Sequence, residues 1–234
     1  MYFDDEIPLE ETKIIQEFCD NYENFKNNYT QFSGQDSHLF RCVILCRYYN
    51  WMAKYVKNYL HRNEEINYVD DNGWSLLHYV CYFPLGKNCL DMVKVLLEAG
   101  INTTFRAKVT GLTALHLCVL TLNDEYGEQI ANVLIDEGSS INIKEKSGMN
   151  VLHVISTNIV FNVSYERKLH VVQYLINAGI DINEKDHDGR TALHILSEWT
   201  CTSMIENMAK ILLVNGADIN LKDNYNRKAT RLWC

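Results

Sequence analysis

Apolar residues along this chain fall into alternating short and long runs. Four long runs keep a helical period: Met92, Val93, Val95, Leu96 and Leu97; Ile130, Val133, Leu134 and Ile135; Val171, Val172, Tyr174, Leu175 and Ile176; Ile211, Leu212, Leu213 and Val214. This spacing lines one face of an α-helix. Each run stops at a glycine (Gly100, Gly138, Gly179, Gly216), where a left-handed residue can satisfy the last helical carbonyls. A recurring phrase opens each short run: glycine, any residue, a capping residue, a small or aliphatic residue, then Leu-His. It stands at Gly73–His78, Gly111–His116, Gly148–His153 and Gly189–His194, with a degraded copy from Asn226. Ser75, Thr113, Asn150 and Thr191 are good N-caps, each stabilising a helix start by about 1 kcal/mol. The predicted unit is therefore a turn, a first helix through Leu-His, a second helix, and an extended return ending in Asn or Thr.

Units repeated at such a period stack side by side and make binding surfaces more often than reaction sites. The phrase resembles the Gly-x-Thr-Pro-Leu-His hallmark of the ankyrin repeat. Gly179-Ile180-Asp181-Ile182-Asn183 and Gly216-Ala217-Asp218-Ile219-Asn220 resemble that family's Gly-Ala-Asp-Val-Asn, and the resemblance is strong from Asp70 to about Asn226. It implies an all-α solenoid of stacked helix-turn-helix units with β-hairpin-like finger loops. The family proline is absent throughout; Leu76, Ala114, Val151, Ala192 and Ala229 replace it. The period, set by glycines at 73, 111, 148 and 189, exceeds the family's value of about 33. The excess falls between the two helices, so longer helices or looped junctions are expected, with the largest protrusion around Thr157–Lys168. The expected divisions are an acidic segment with a capping helix (1–36, helix from Leu9 to about Tyr29), a divergent first repeat (37–69, with His38–Arg41 in place of the Leu-His box), repeats over 70–104, 105–142, 143–183 and 184–220, and a truncated polar cap (221–234).

Composition narrows the function. The net charge is −8. Residues 1–36 hold nine acids and two lysines, so the rest of the chain is nearly neutral. That excludes the basic field of a nucleic-acid binder. No apolar stretch reaches the roughly 18 residues of a membrane span, and no basic-then-apolar leader opens the chain. Cys81 and Cys118 follow the Leu-His pairs, where small buried side chains are wanted, and no Cys-x-x-Cys pair occurs among the eight cysteines. His78, His116, His153 and His194 are spaced by the repeat and not by a metal-ligand pattern. The resemblance assigns them to bonds with the capping residue and neighbouring backbone. Asp186-His187-Asp188 reads as a solvated turn tip, and Asp70-Asp71-Asn72-Gly73 lacks the spaced ligands of a calcium loop. No phosphate loop, nucleophile elbow or dinucleotide fingerprint occurs, so no catalytic residue, metal or cofactor is expected.

The resemblance implies binding through finger tips and the concave face of the first helices. Carried onto this chain, it selects Trp74, Tyr82, Phe83, Leu112, Met149, Arg190, Trp199 and Tyr225 as partner-binding residues, because large groups at nominally exposed positions make interface anchors. The expected function is a non-enzymatic interaction scaffold for another protein, acting as a monomer inside the cell, in cytoplasm or nucleus. Two roles fit: a sequestering inhibitor similar in layout to ankyrin inhibitors of Rel-type transcription factors, or a substrate adaptor for a ubiquitin ligase of the viral ankyrin kind. The absence of an Asp-Ser-Gly degron disfavours regulated destruction in the first, and the lack of room for a C-terminal box disfavours the second.

Overall fold

The computed structural model describes residues 39, 42, 43, 46, 48, 50–60, 66–82, 86–122, 125–157, 165–199 and 203–230. The expected capping helix from Leu9, Phe83 and most of the His38–Arg41 box lie outside them. Within them run nine helices: α1 (Met52–Leu60), α2 (Leu76–Tyr82), α3 (Lys87–Glu98), α4 (Ala114–Leu120), α5 (Glu125–Asp136), α6 (Val151–Thr157), α7 (Tyr165–Asn177), α8 (Ala192–Ser197) and α9 (Ser203–Val214). They form two layers. The short helices α2, α4, α6 and α8 pack on one another in order, and the long helices α1, α3, α5, α7 and α9 pack behind them in the same order.

Local chemistry sets each boundary. The four phrase glycines have φ between 74° and 85° and turn the chain into the short helix. The residue two positions later caps it; Thr113 Oγ1 and the His116 ring form a reciprocal capping box at the start of α4. The long helices end in one motif. At the end of α3, the Gly100 N–H donates to the Leu97 carbonyl (2.9 Å) and the Ile101 N–H to the Leu96 carbonyl (3.1 Å). Equivalent pairs follow at Gly138, Gly179 and Gly216. This is the Schellman arrangement that glycine at C′ favours.

The core runs unbroken between the layers, because every unit leaves apolar faces for its neighbours to cover. Leu77, Leu115, Leu152 and Leu193 of the phrase are buried beside Met92, Val93, Leu134, Val172, Leu175 and Leu212 of the long helices. Each such side chain contributes about 1.5–3 kcal/mol on burial. Cys42, Cys46, Cys81, Cys89 and Cys118 are buried in this core, with Cys46 Sγ and Cys89 Sγ 3.8 Å apart across two units.

The extra length of the units appears in long second helices of 12 or 13 residues. The protrusion expected over Thr157–Lys168 is not continuous. Residues 158–164 lie outside the described set, but Tyr165–Lys168 already belong to α7, and Lys168 is fully buried. Burial lowers its ammonium pKa to about 8.

Candidate partner-binding face

The returns between units form a row of fingers. One backbone bond joins each finger to the next: Lys108 N–H to the Asn72 carbonyl (2.7 Å), Lys146 to Thr110 (2.9 Å), His187 to Ser147 (3.0 Å) and Asn224 to Asp188 (2.9 Å). A second row of ties uses side chains. Arg106 Nη2 donates to the Lys144 carbonyl (2.6 Å), Lys144 Nζ to the Lys185 carbonyl (2.9 Å) and Lys185 Nζ to the Lys222 carbonyl (2.7 Å). A cation at one slot thus reaches forward to the same slot of the next unit. The asparagines do likewise: Asn183 Nδ2 donates to the Gly216 carbonyl and its Oδ1 accepts from the Asp218 N–H, and Asn67 makes the same pair with Gly100 and Asn102.

A carboxylate holds most finger turns from inside. Asp186 Oδ1 accepts the Asp188 and Arg190 N–H groups (3.0 and 2.8 Å), and Oδ2 accepts Arg190 Nε (2.9 Å). Asp223 repeats this with Tyr225 and Arg227. Asp70 does so with Asn72, Trp74 and the Tyr79 hydroxyl. Glu145 accepts from Ser147 and Met149. Burial alone would raise the Glu145 pKa; the Ser147 and Met149 donors outweigh it and hold the value below the usual carboxylate range. Asp186, taken from the sequence as part of a solvated tip, is in fact buried, because the turn folds back over its carboxylate. Asp186→Asn keeps an oxygen for the two N–H groups but puts an amide against Arg190. It is expected to lower stability by about 1–2 kcal/mol in urea unfolding, the scale of a hydrogen bond to a charged group.

The four histidines stand in a row, one per unit. Each Nδ1 accepts the N–H of its own cap residue, at 3.0–3.3 Å. Nε2 therefore carries the proton, and it reaches the next unit: His78 to the Leu112 carbonyl (3.1 Å), His153 to Arg190 (3.0 Å) and His194 to Arg227 (3.1 Å). The equivalent carbonyl for His116, that of Met149, lies close but short of hydrogen-bonding geometry, leaving Nε2 unpaired. At His153 the cap is Asn150, whose Oδ1 is 2.6 Å from Nδ1 while its Nδ2 is buried without a partner. The same Oδ1 accepts the His153 N–H (3.1 Å), the bond that caps α6. Burial lowers the pKa of His78 and His153, and that of His116 to about 4. Among the described residues no group of three or more His, Cys, Asp or Glu side chains could hold a metal ion.

The fingers and the ends of the short helices share a face. Trp74, on the first finger, has its ring 5.2 Å from that of Tyr82 at the end of α2 and 5.1 Å from Tyr79. At the other end Arg190 Nη1 lies 3.6 Å from Glu198. There a cleft of about 380 Å³ opens between α8 and the last finger, lined by His194, Glu198, Asp223 and Arg227 among others. Of the residues selected from the sequence, Trp74, Leu112, Met149 and Arg190 occupy one column, each directly following its phrase glycine, and Arg227 continues it. The column is half-buried as far as Arg190, with Leu112 and Met149 packed on the core. Arg190 is tied to Asp186, Asp188 and Glu198. Tyr82 (41%) and Tyr225 (69%) are exposed, and the Arg227 guanidinium sits 5.0 Å over the Tyr225 ring. Trp199 is half-buried against the core, away from the Trp74 group. Tyr79 escaped the sequence reading; its spacing of five from Trp74 was the available signal.

A stack of similar units with caps and fingers bonded from one to the next defines a repeat scaffold that offers a continuous edge. The chain belongs to the ankyrin-repeat family: the family model described as ankyrin repeats (3 copies) matches residues 43–145 and 124–223. Among curated proteins none matches the sequence. The structure is similar to the crystal structure of the ankyrin repeat domain of Bcl-3, which its description calls a unique member of the IkappaB protein family. The TM-score is 0.68 at 21% identity, covering 97% of this chain and 93% of that one. With 462 solved chains matching, the likeness defines the fold and selects no partner.

Proposed function

We propose that this protein is a non-enzymatic scaffold that holds a partner protein against its fingers and short helices, as a sequestering inhibitor acting as a monomer inside the cell. The observation that carries the reading is the aromatic group of Trp74, Tyr79 and Tyr82, gathered on that face with Tyr82 open to solvent. Clustered Trp and Tyr side chains are the residues that dominate binding energy at interfaces. Membership of the ankyrin-repeat family supports the protein-binding role.

Affinity capture from cell extract, with wild type beside Trp74→Ala/Tyr82→Ala, tests the proposal. The double variant is expected to retain its fold and lose at least about tenfold of the captured partner, since anchor truncations cost about 2 kcal/mol or more. Equal retention of every captured protein by both forms would move the binding surface elsewhere.

A further inference from the structure

Resting on that reading, we infer that the partner presents an acidic segment with apolar anchors to the later fingers. The chain as a whole is acidic, at −8, yet its charge is sorted by face. The fingers over 105–112, 143–149, 184–190 and 221–228 together carry nine Lys and Arg against five Asp and Glu, whereas the first finger, 66–74, carries Asp70 and Asp71 and no base.

The five acids of the later fingers are all engaged internally. Asp186, Asp188 and Asp223 pair with Arg190 and Arg227. Glu184 pairs with Lys144, and Glu145 is occupied by the donors of its own turn. Four exposed ammonium groups, on Lys108, Lys146, Lys222 and Lys228, have no carboxylate partner among the described residues. Lys222 holds the slot from which Arg106, Lys144 and Lys185 reach forward. Lys108 and Lys146 hold one slot on adjacent fingers joined backbone to backbone. Beside these cations stand Val109, 75% exposed, and Tyr225, 69% exposed.

Cations without a carboxylate partner, interleaved with open apolar groups, complement a chain that alternates carboxylates with large side chains. A uniform polyanion such as nucleic acid fits worse. Its evenly charged backbone offers no branched aliphatic group to match the exposed Val109.

The test is a library of random 16-residue peptides displayed on phage and selected on the immobilised full-length chain. Enriched peptides are expected to be net negative with at least one aromatic or branched aliphatic residue. Lys108→Glu/Lys146→Glu, with unchanged circular dichroism and melting, should weaken the best peptide about tenfold at 0.15 M NaCl and less at 0.5 M, as screened charge pairs do. Enrichment of neutral or basic peptides, indifference to the double charge reversal, equally tight binding of a 20-nucleotide single strand, or displacement by a synthetic peptide of residues 1–36 would each overturn the inference. Neutral peptides whose binding is lost in Trp74→Ala/Tyr82→Ala would overturn it while leaving the scaffold reading intact. Enrichment of no peptide by wild type would count against both.

Discussion

Gly148→Ala is expected to destabilise the protein by about 3 kcal/mol, and Gly179→Ala by about 1 kcal/mol, although both glycines are left-handed, at φ 85° and 86°. A left-handed conformation costs an L-residue about 1–2 kcal/mol, and part of this is offset because alanine narrows the unfolded ensemble. That accounts for Gly179, where a Cβ would meet nothing within 4 Å. At Gly148 a Cβ would stand 2.7 Å from the His187 backbone nitrogen. That nitrogen donates the bond to the Ser147 carbonyl that joins two fingers. Moving it apart adds a packing penalty of about 2 kcal/mol and breaks the join. Urea unfolding of both variants gives the comparison, and hydrogen exchange at the His187 amide should quicken only in Gly148→Ala. Equal losses would mean that the fingers part without cost. The last unit makes the same point without mutation. Asn226 occupies the glycine slot at φ 63°, and Asn is among the few side chains that tolerate it.

The helices, their caps and their order were legible because each depends on residues within one turn of itself. Ser75, Thr113, Asn150 and Thr191 sit at the helix starts, and the glycines after α3, α5, α7 and α9 adopt the expected left-handed conformation. The row of histidines was legible through the family resemblance, since their forward bonds span 33 to 37 residues. What escaped was whatever needs knowledge of which way the chain turns. An acid three residues before the glycine recurs at Asp70, Glu145 and Asp186, and before Asn226 at Asp223. Beside polar neighbours such an acid reads as solvated until the turn is seen to close over it. Arg106, Lys144 and Lys185 read as surface charges until the next finger supplies a carbonyl. The charge sorting was hidden by cancellation, because acids such as Glu125, Glu128 and Asp136 on α5 offset the cations of the fingers. Only a structure assigns those groups to different faces.

The burial of His116 brings an acid sensitivity that should be measurable as a change in the stability gap between wild type and His116→Gln. Burial holds the folded pKa of His116 at about 4, below the ordinary 6.5. On protonation the unfolded chain therefore takes up its proton first. The stabilising effect of the neutral imidazole is full above about pH 6.5 and is lost as pH falls from there towards 4. A displacement of that size corresponds to about 3 kcal/mol. Glutamine does not titrate, so carboxylates, which protonate alike in both proteins, cancel in the difference. At pH 7.5 wild type should be the more stable, because its Nδ1 accepts the Thr113 N–H within the capping box. Between pH 6.5 and 4 the gap should shrink by about 3 kcal/mol and can change sign. Urea titrations at half-unit pH intervals would follow it. A gap that stays constant across this range would mean that His116 is charged in the folded protein, against the acceptor role that its Nδ1 takes at the cap.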